Sequence, residues 1–384
     1  KVIDDCLHMQ YDELIEMVRE KLKDYHPDKV RRVWIPKPGK SEKRPLGIPT
    51  ISDRIVQECV RHVIEPIAEG QFFEHSYGFR PMRSADMAIA RIKRLNFTAK
   101  CYWVVEGDIK GFFDNIDHNV MIESLWQIGI RDKRILSIIK QMLKAGVMDE
   151  CETSELGTPQ GGIISPLLAN IYLNRFDRFI TGDFERKKLR RTYSRSDGRL
   201  QAMRKHSKLK TAYYVRYADD WVILTDNKED AEKLKYKAKR YLRDTLKLEL
   251  SEEKTLITNV TSRPIKFLGV EIKMDVRNGR MVNKVSPDMV RFDRKMKELS
   301  RELFMLRKTA TWDTERLIQN ITRVNSIIVG LMNYYSMCDQ ISVVVRKYAW
   351  LLKYTAYKSL KRYGGQWIRA NKVSNLIGLH SGHL

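Results

Sequence analysis

The sequence predicts a mixed fold, α/β or α+β, in which a sheet-containing region is followed by a wholly helical one. Residues from about 101 to 285 alternate β-prone runs with helix-prone segments, which is typical of domains that pack helices against a sheet. Residues from about 288 to 363 carry apolar positions at helical spacing. These two patterns predict a mixed domain joined to a helical one.

Three β-prone runs define the predicted sheet. Tyr102–Val105 is rich in aromatic and β-branched residues and leads into Asp108 within three positions. The runs 213–217 and 221–224 flank the Asp219-Asp220 pair, so they predict a hairpin with two acids at its tip. Asp108 is therefore expected at the end of one strand and the acid pair in a tight turn.

The first 100 residues mix helical segments with a basic stretch that proline and glycine interrupt. Residues 35–40 predict a loop that leads into residues 44–49. From Ile55 the pattern turns helical, and this helix is expected to end before residues 77–81.

Two further regions are strongly basic. Residues 186–210 contain eleven Lys or Arg and one acid, which is typical of a solvated loop and also suits contacts to phosphates. In the helical region, basic residues interleave with aromatic ones; we expect core packing for the aromatic side chains and duplex contacts for the basic face. The aromatic residues are Tyr334, Tyr335, Tyr348, Trp350, Tyr354 and Tyr357.

The charge points to a polyanionic partner. Lys and Arg total 71 against 48 acids, which gives a formal net charge of +23. Such an excess attracts nucleic acid. A membrane is not expected as the partner, because no apolar run is long enough to span a bilayer. Five scattered cysteines argue against a zinc site and a complete disulfide framework, and indicate thiols in a reducing, intracellular compartment.

The acids suggest nucleotidyl transfer. That reaction uses two divalent ions about 3.5–4 Å apart, and Mg²⁺ prefers hard oxygen ligands. Carboxylates at the ends of adjacent strands can hold such ions. An Asp-Asp pair alone is equally well explained as a turn, because aspartate side chains bond to nearby backbone. The surrounding sequence decides between these two interpretations.

Six ordered blocks resemble the group II intron reverse transcriptases, also called intron-encoded maturases, over about residues 31–363. The blocks are Arg44-Pro45-Leu46-Gly47-Ile48-Pro49, Ser76-Tyr77-Gly78-Phe79-Arg80-Pro81, Gly107-Asp108-Ile109-Lys110-Gly111-Phe112-Phe113-Asp114, Gly157-Thr158-Pro159-Gln160-Gly161-Gly162 with Ser165-Pro166-Leu167-Leu168-Ala169-Asn170, Tyr217-Ala218-Asp219-Asp220, and Phe267-Leu268-Gly269.

The resemblance implies an α+β right-hand polymerase with fingers, an antiparallel palm sheet and a helical thumb. The fingers are expected in residues 1–100, with a shortened N-terminus. The palm is expected in 101–285, with the basic insertion at 186–210. The thumb, or maturase X domain, is expected in 286–365, followed by a tail at 366–384. Members with a DNA-binding segment and an endonuclease continue further than this chain.

The resemblance also implies a catalytic site. Asp108, Asp219 and Asp220, with the carbonyl of Ile109, are expected to hold two Mg²⁺ ions. Lys254 matches a lysine expected to protonate pyrophosphate or stabilise its charge. Two nearby acids, at positions 114 and 117, are expected to be structural or capping residues.

Further residues are expected to bind the nucleotide and the primer. Phe113 matches the steric gate that leaves no room for a ribose 2′-hydroxyl, whereas its neighbour Phe112 is expected in the core. Gln160 and Gly161 are expected to face the nascent base pair. Ser165 is expected to cap a helix that begins at Pro166 and continues to Phe179.

Basic residues of the fingers and one hairpin complete the implied site. Lys43, Arg44 and Arg54 are expected to bind the triphosphate, with Arg54 and Lys43 favoured. Phe267, Leu268 and Gly269 are expected to position the primer end.

The implied function is RNA-directed DNA synthesis by a group II intron enzyme that also assists splicing and retrohoming. Its expected partners are intron RNA, an RNA template with a DNA primer, target DNA and deoxynucleotides, in a bacterial cytoplasm or an organelle. Two alternatives are a related reverse transcriptase recruited to repair or defence, and an RNA-binding splicing factor whose polymerase activity is vestigial. The intact acids, Phe113 and Gln160 favour an enzyme over a pure binding protein.

Overall fold

The computed structural model describes residues 9–36, 43–145, 161–187, 189, 191–195, 198–199, 201–203, 210–339 and 341–364. The chain divides into two compact units. The first comprises Lys1–Ile265 with Val276–Val282, and the second comprises Lys266–Asp275 with Asn283–Leu384. The regions expected to form the fingers and most of the palm thus share one unit.

Helices and strands alternate in the first unit. Its α-helices are α1 (Tyr11–Lys23), α2 (Ile51–Glu69), α3 (Ala85–Arg94), α4 (His118–Gln127), α5 (Lys133–Leu143), α6 (Ser165–Gly182) and α7 (Lys228–Leu246). Its strands are β1 (Arg31–Pro36), β2 (Lys43–Ile48), β3 (Trp103–Gly107), β4 (Tyr213–Tyr217), β5 (Asp220–Thr225) and β6 (Leu256–Asn259). A π-helical segment, Leu95–Ala99, follows α3, and a 3₁₀ turn, Phe112–Asp114, follows β3.

A four-stranded sheet in the order β4-β5-β3-β6 forms the centre of the first unit. All of its neighbouring strands are antiparallel, so the fold is α+β. Val105, Tyr214, Trp221 and Ile223 from this sheet lie in one buried apolar cluster with residues of the surrounding helices. The three predicted β-prone runs are confirmed as β3, β4 and β5; β3 ends one residue before Asp108, and β5 begins at Asp220.

The loop predicted over residues 35–40 begins too early, and residues 37–40 lie outside the described part of the chain. Ile35 and Pro36 end β1, and residues 44–48 belong to β2, which pairs with β1 in an antiparallel two-stranded sheet. Proline is tolerated there because a two-stranded sheet has only edge strands. The following helix begins at Ile51 rather than Ile55, since the Thr50 side chain accepts a hydrogen bond from the backbone N–H of Asp53.

The helix predicted from Pro166 begins one residue earlier and ends three residues later than expected. Ile164 has helical backbone angles, so Ser165 is the first residue of α6 and not its cap. Pro166 lies in the first turn, where its missing N–H costs no helical hydrogen bond. The helix continues to Gly182 because residues beyond Phe179 remain buried against the core.

The second unit contains the predicted helical region. Its helices are α8 (Met289–Met305), α9 (Thr314–Tyr335) and α10 (Ile341–Leu360), with 3₁₀ turns at Leu306–Lys308 and Lys361–Tyr363. A three-stranded sheet, most of whose residues belong to this unit, has the order β7 (Ile265–Phe267), β8 (Val270–Arg277) and β9 (Arg280–Pro287). Leu299, Leu303, Leu306 and Val324 form the helical core.

Core packing was the wrong expectation for part of α10. Tyr335 is buried, but Trp350 is 72% exposed, and Tyr354 and Tyr357 are also exposed. Lys358 lies over the ring of Tyr354, and Lys361 lies over the ring of Tyr357. These two rings therefore contact charged side chains on the same helical face, where apolar packing was expected. Among the described helices, none is long and apolar enough to cross a membrane.

Cys101 and Cys338 are buried, and Cys59 is partly buried. Cys6 and Cys151 lie outside the described residues.

Candidate active site

The register of the central sheet brings the predicted metal ligands together. In the antiparallel pair of β3 and β5, Gly107 lies opposite Trp221. Continuing that register by one residue sets Asp108 opposite Asp220. Residues directly opposite in an antiparallel pair have Cβ atoms about 4.5–5.5 Å apart on the same face. This register predicts that two carboxylates from distant parts of the sequence lie near each other at one end of the sheet.

Asp219 lies in the two-residue turn between β4 and β5. Tyr217 pairs with Asp220, which leaves Ala218 and Asp219 as the turn residues. Ala218 has a φ of 55°, a left-handed conformation that is unfavourable for residues with a Cβ atom. The predicted hairpin is thus present, and its tip is a constrained turn.

Gly78 approaches this turn at very short range. A Cβ atom added at Gly78 would lie 2.3 Å from the backbone nitrogen of Ala218, so no larger residue fits without displacing the turn. The backbone of the same segment also pairs with β4: Tyr77 donates its N–H to the carbonyl of Arg216 at 2.9 Å. The second sequence block therefore supports the acid hairpin from behind.

Gly107 has an equally specific steric role. A Cβ atom there would lie 2.1 Å from the indole ring of Trp221, which is almost fully buried. Because Gly107 has no side chain, the indole ring of Trp221 can pack directly against β3. The two strands that carry the acids are packed together by this contact.

Lys254 contacts Asp108 directly. Its Nζ lies 2.7 Å from Oδ2 of Asp108, and the lysine side chain is 61% exposed. The backbone N–H of Ser251 also donates to the carbonyl oxygen of Asp108 at 2.9 Å. The turn before β6 thus holds Lys254 beside the first predicted metal ligand.

The side chain of Ile109 is buried, and its backbone N–H and C=O point away from Leu250, the residue with which it pairs. It forms an antiparallel bridge with Leu250, flanked by hydrogen bonds from Lys110 N–H to Glu249 O and from Ser251 N–H to Asp108 O, both 2.9 Å. In such a pair the bridging residue directs its own N–H and C=O to the opposite side. For Ile109 that is the side away from Leu250.

The two phenylalanines after Asp108 differ as expected in their burial. Phe112 is buried and packs edge-to-face on Tyr172, with ring centroids 6.2 Å apart. Phe113 is only partly buried and packs on Phe112, with ring centroids 5.1 Å apart. Asp117 caps α4 by accepting hydrogen bonds from the backbone N–H groups of residues 119 and 120, which confirms its structural role. Asp114 lies exposed in the 3₁₀ turn.

A second group of predicted residues gathers around β2 and the start of α2. Gly161 has a φ of 118°, and a Cβ atom there would lie 2.8 Å from the carbonyl oxygen of Gly47. Gln57, on α2, accepts the backbone N–H of Ile163 at 2.8 Å and ties the same loop to the helix. Two sequence blocks about 110 residues apart are thus in direct contact.

The basic candidates belong to this second group. Lys43 is exposed at the first residue of β2, and Arg54 is partly buried in the first turn of α2. Among the described residues, Nε of Arg54 is buried without a hydrogen-bond partner. The side chain of Arg44 and the whole of Gln160 lie outside the described residues.

Phe267, Leu268 and Gly269 form a tight turn in the second unit. Leu268 and Gly269 both have positive φ, at 50° and 74°, which is the pattern of a type I′ hairpin turn between β7 and β8. Tyr334 donates its hydroxyl to the carbonyl of Leu268 at 2.6 Å, and Asp288 donates its N–H to the carbonyl of Gly269 at 3.0 Å. The start of α8 and the end of α9 therefore hold this turn.

The predicted metal ligands at the end of the central sheet are all oxygen atoms, the kind of ligand that Mg²⁺ prefers. Asp108, Asp219, Asp220 and the carbonyl of Ile109 offer hard oxygen atoms at one sheet end. Across the described part of the chain, no three His, Cys, Asp or Glu side chains are arranged to form a complete metal site alone.

Sequence reasoning missed three buried polar residues behind the hairpin. Arg216 and Asp177 form a fully buried ion pair at 2.7 Å, and Asn170 contacts the same guanidinium at 2.9 Å. A signal was present: Arg216 interrupts a β-prone run and Asp177 an apolar helix. Charged residues are almost never fully buried unless they are paired, so two such interruptions suggest partners.

Comparison with known proteins agrees with this arrangement. Residues 35–272 match the family described as "Reverse transcriptase (RNA-dependent DNA polymerase)". The chain is 34% identical over 419 residues to the group II intron-encoded protein LtrA of Lactococcus lactis subsp. cremoris, covering 94% of this chain and 69% of that protein. It is 37% identical over 270 residues to protein YkfC of Escherichia coli, covering 66% of this chain and 70% of that protein.

A fungal relative and a solved structure extend the comparison. An uncharacterised 91 kDa protein in the cob intron of Schizosaccharomyces pombe is 32% identical over 374 residues, covering 85% of this chain and 45% of that protein. The structure of apo telomerase from Candida tropicalis superimposes with a TM-score of 0.50 at 13% identity, covering 92% of this chain and 68% of that one, which shows the fold alone.

The relatives favour an intron-encoded enzyme over both alternatives considered from the sequence. The antiparallel sheet and its surrounding helices form the palm of a right-hand polymerase. With a family match over more than half of its length, the chain belongs to the reverse transcriptases, as an RNA-directed DNA polymerase of the group II intron-encoded type.

Proposed function

We propose that this polymerase joins deoxynucleotides with two Mg²⁺ ions held by Asp108, Asp219, Asp220 and the carbonyl of Ile109. The observation that carries the proposal is the strand register that sets Asp108 opposite Asp220, with Lys254 bonded to Asp108. When bound, the ions would activate the primer hydroxyl and stabilise the charge on the leaving pyrophosphate.

The side chains of this site have separable tasks. The carboxylates of Asp108 and Asp220 provide negative charge on one face of two adjacent strands. Lys254, exposed beside Asp108, provides a positive charge and a proton where pyrophosphate charge develops. Because its pairing partner is itself a ligand, Lys254 is held within reach of the reacting phosphates.

The second group of residues is proposed to bind the incoming deoxynucleotide. The buried Nε of Arg54 and the exposed amine of Lys43 supply donors for the triphosphate, and Arg44 adds a third basic group. Gly161 supports the proposal because its backbone has no Cβ and can approach a base pair closely. Gln160 is proposed to bond to the sugar or base, and Phe113 to exclude a 2′-hydroxyl.

The second unit is proposed to hold the template–primer duplex and structured RNA. The turn of Phe267, Leu268 and Gly269 is proposed to position the primer end. On α10, Trp350 and Tyr354 stack with ring centroids 5.2 Å apart and an interplanar angle of 7°. We call the exposed face formed by Trp350, Tyr354, Tyr357, Lys358 and Lys361 the aromatic face.

The aromatic face combines stacking area with positive charge. Lys358 Nζ lies 4.7 Å from the Tyr354 ring centroid, and Lys361 Nζ lies 5.9 Å from that of Tyr357. Exposed aromatic rings beside basic side chains bind unpaired bases and phosphates together. This supports an RNA partner for the unit, and by analogy with the named relatives we propose the intron RNA and its DNA target.

The same relatives guide the division of the chain and its cellular setting. We propose the fingers in residues 1–100, the palm in 101–285 and the thumb in 286–365. Relatives occur in bacteria and fungi, and we propose an intracellular site of action in a bacterial cytoplasm or an organelle.

Primer extension tests the proposed metal site. Purified protein is given an RNA template, a DNA primer and deoxynucleotides, with Mg²⁺ titrated and then removed by EDTA. We expect extension that requires the ion and that Asp219→Asn abolishes, while template–primer binding is retained.

Asp114→Asn is the matched control, because it removes the same charge from an exposed acid six residues beyond Asp108. It should leave extension near the wild-type level. Retained activity in Asp219→Asn would contradict the metal assignment.

A further inference from the structure

We propose that Arg216 is a positioning residue that fixes the Asp219-Asp220 turn in the conformation needed to bind metal. This inference rests on the proposed function of the two aspartates. It assigns a task to a residue that cannot touch the substrate, since its side chain is fully buried behind the turn.

The guanidinium of Arg216 is bonded on every side. Nε and Nη2 donate to the two carboxylate oxygens of Asp177, each at 2.7 Å. Nη1 donates to Oδ1 of Asn170 and to the carbonyl oxygen of Ala218, each at 2.9 Å. The first three bonds lock the guanidinium plane, so the fourth fixes the position of the Ala218 carbonyl.

That carbonyl belongs to the peptide that leads into Asp219. Fixing it restricts the rotation of this peptide and hence the direction of the Asp219 side chain. Ala218 needs such a restraint because its left-handed backbone, with a φ of 55°, is unfavourable for a residue with a Cβ atom. The bond from Arg216 is a local source of that restraint.

A second contact closes the arrangement from the other side. Asn170 accepts from Arg216 through Oδ1 and donates through Nδ2 to the carbonyl oxygen of Gly78 at 2.8 Å. Gly78 in turn lies against the backbone nitrogen of Ala218. The turn is therefore held between the guanidinium and Gly78, and Asn170 fixes the distance between them.

Charge alone does not account for this arrangement. Burial lowers the pKa of a guanidinium, but the adjacent carboxylate of Asp177 outweighs burial, and the pKa of Arg216 is raised. A lysine would keep the charge beside Asp177, yet its single ammonium cannot reproduce the planar set of four bonds. Arg216→Lys therefore separates the positioning role from the charge.

The matched control is Arg80→Lys. Arg80 is also buried, pairs with Glu69 at 2.8 Å and donates to the carbonyl oxygens of Phe73 and Ser76. Among the described contacts, the guanidinium of Arg80 makes no bond to residues 218–220, whereas that of Arg216 bonds to Ala218. Both variants remove a planar set of bonds around a buried ion pair, but only the set of Arg216 includes a bond to a residue of the turn.

The experiment titrates Mg²⁺ in single-nucleotide extension of an RNA-templated primer by the full chain. For Arg216→Lys we expect the Mg²⁺ half-saturation to rise about 10- to 100-fold, as for other residues that orient metal ligands. We expect a lower kcat with unchanged KM for the deoxynucleotide and unchanged template–primer Kd. Arg80→Lys should lower Tm without shifting the Mg²⁺ dependence.

Asn170→Ala keeps the proposal testable if Arg216→Lys fails to fold, because it leaves the buried ion pair intact. It should raise the Mg²⁺ half-saturation in the same direction by a smaller factor. An unchanged Mg²⁺ dependence in a folded variant, or an equal shift in Arg80→Lys, would overturn the positioning role alone. Wild-type protein that extends no primer would overturn the proposed function with it.

Discussion

Lys254 and Asp108 form an ion pair of 2.7 Å although 146 residues separate them in sequence. The pair joins the end of β3 to the turn before β6, and the lysine remains mostly exposed. A pair this exposed contributes only about 0–1 kcal/mol to stability. Its importance therefore lies in chemistry rather than in holding the fold together.

Replacing Lys254 with glutamine should slow nucleotide incorporation without unfolding the protein. The glutamine side chain is one bond shorter, and its amide can donate a hydrogen bond but has neither an acidic proton nor a positive charge, so we expect a rate loss of about 10²-fold or more. Rapid-quench measurement of one incorporation gives the rate, and thermal melting gives the stability. Lys247→Gln, which removes an exposed lysine outside the site, is the control. A wild-type rate in Lys254→Gln would argue that the pair only balances charge.

Replacing Phe113 with valine should admit ribonucleotides. The ring is partly buried on Phe112, and a smaller side chain would open space where a 2′-hydroxyl could fit. We expect the ratio of kcat/KM for deoxynucleotide over ribonucleotide to fall, while kcat for the deoxynucleotide changes less. Competition between the two nucleotides on one template measures this ratio. Phe112→Val should instead lower Tm, because a smaller side chain leaves a cavity in the core.

Adding one methyl group at Gly107 should be destabilising. A Cβ atom there would lie 2.1 Å from the Trp221 ring, so the indole or the strand must move. Overpacking of this kind costs about 1–3 kcal/mol and would also displace Asp108. Urea unfolding and primer extension should both detect the change in Gly107→Ala.

Gly182→Ala provides the comparison for that substitution. Among the described residues outside its own helical turn, no atom lies within 4 Å of a Cβ placed at Gly182, which is the last residue of α6. Alanine is a better helix former than glycine by about 1 kcal/mol, so this variant should be neutral or slightly stabilised. Equal stability in both variants would contradict the steric role of Gly107.

Removing the Trp350 ring should weaken RNA binding. Stacking of a base on an aromatic side chain is worth about 1–3 kcal/mol, so Trp350→Ala should raise the Kd for single-stranded RNA by roughly 5- to 150-fold. Trp312→Ala removes a ring that is 84% exposed outside the aromatic face and is the control. Fluorescence anisotropy with labelled RNA measures both variants.

The aromatic face should also contribute to salt dependence through its lysines. For a single strand, each phosphate that a lysine neutralises adds about 0.7 to the steepness of log K against log salt. Lys358→Gln is therefore expected to flatten the salt dependence as well as weaken binding. Unaltered RNA affinity in Trp350→Ala would remove the aromatic face from the proposed binding surface.

Much of the fold could be predicted because its signals are local. The runs that became β3, β4 and β5 carry β-branched and aromatic residues, and the region from 288 to 363 has helical periodicity. Boundaries were less accurate where a single contact decides them. Thr50 starts α2 earlier than the apolar pattern suggested, and pairing with β2 keeps Ile35 and Pro36 in β1, where proline and glycine predicted a loop.

The sequence by itself determined the ordered motifs, the family they resemble, the basic charge and the candidate acids Asp108, Asp219 and Asp220. Only the tertiary structure decided that β3 and β5 pair in a register that ends with Gly107 opposite Trp221, that Lys254 reaches Asp108, and that Arg216 is bonded to the Ala218 carbonyl. The physical reason is that sheet register and buried polar pairs join residues far apart in the chain. The local sequence shows that a charged side chain stands in an apolar strand or helix, as Arg216 and Asp177 do. Which residue it pairs with depends on how the strands and helices pack.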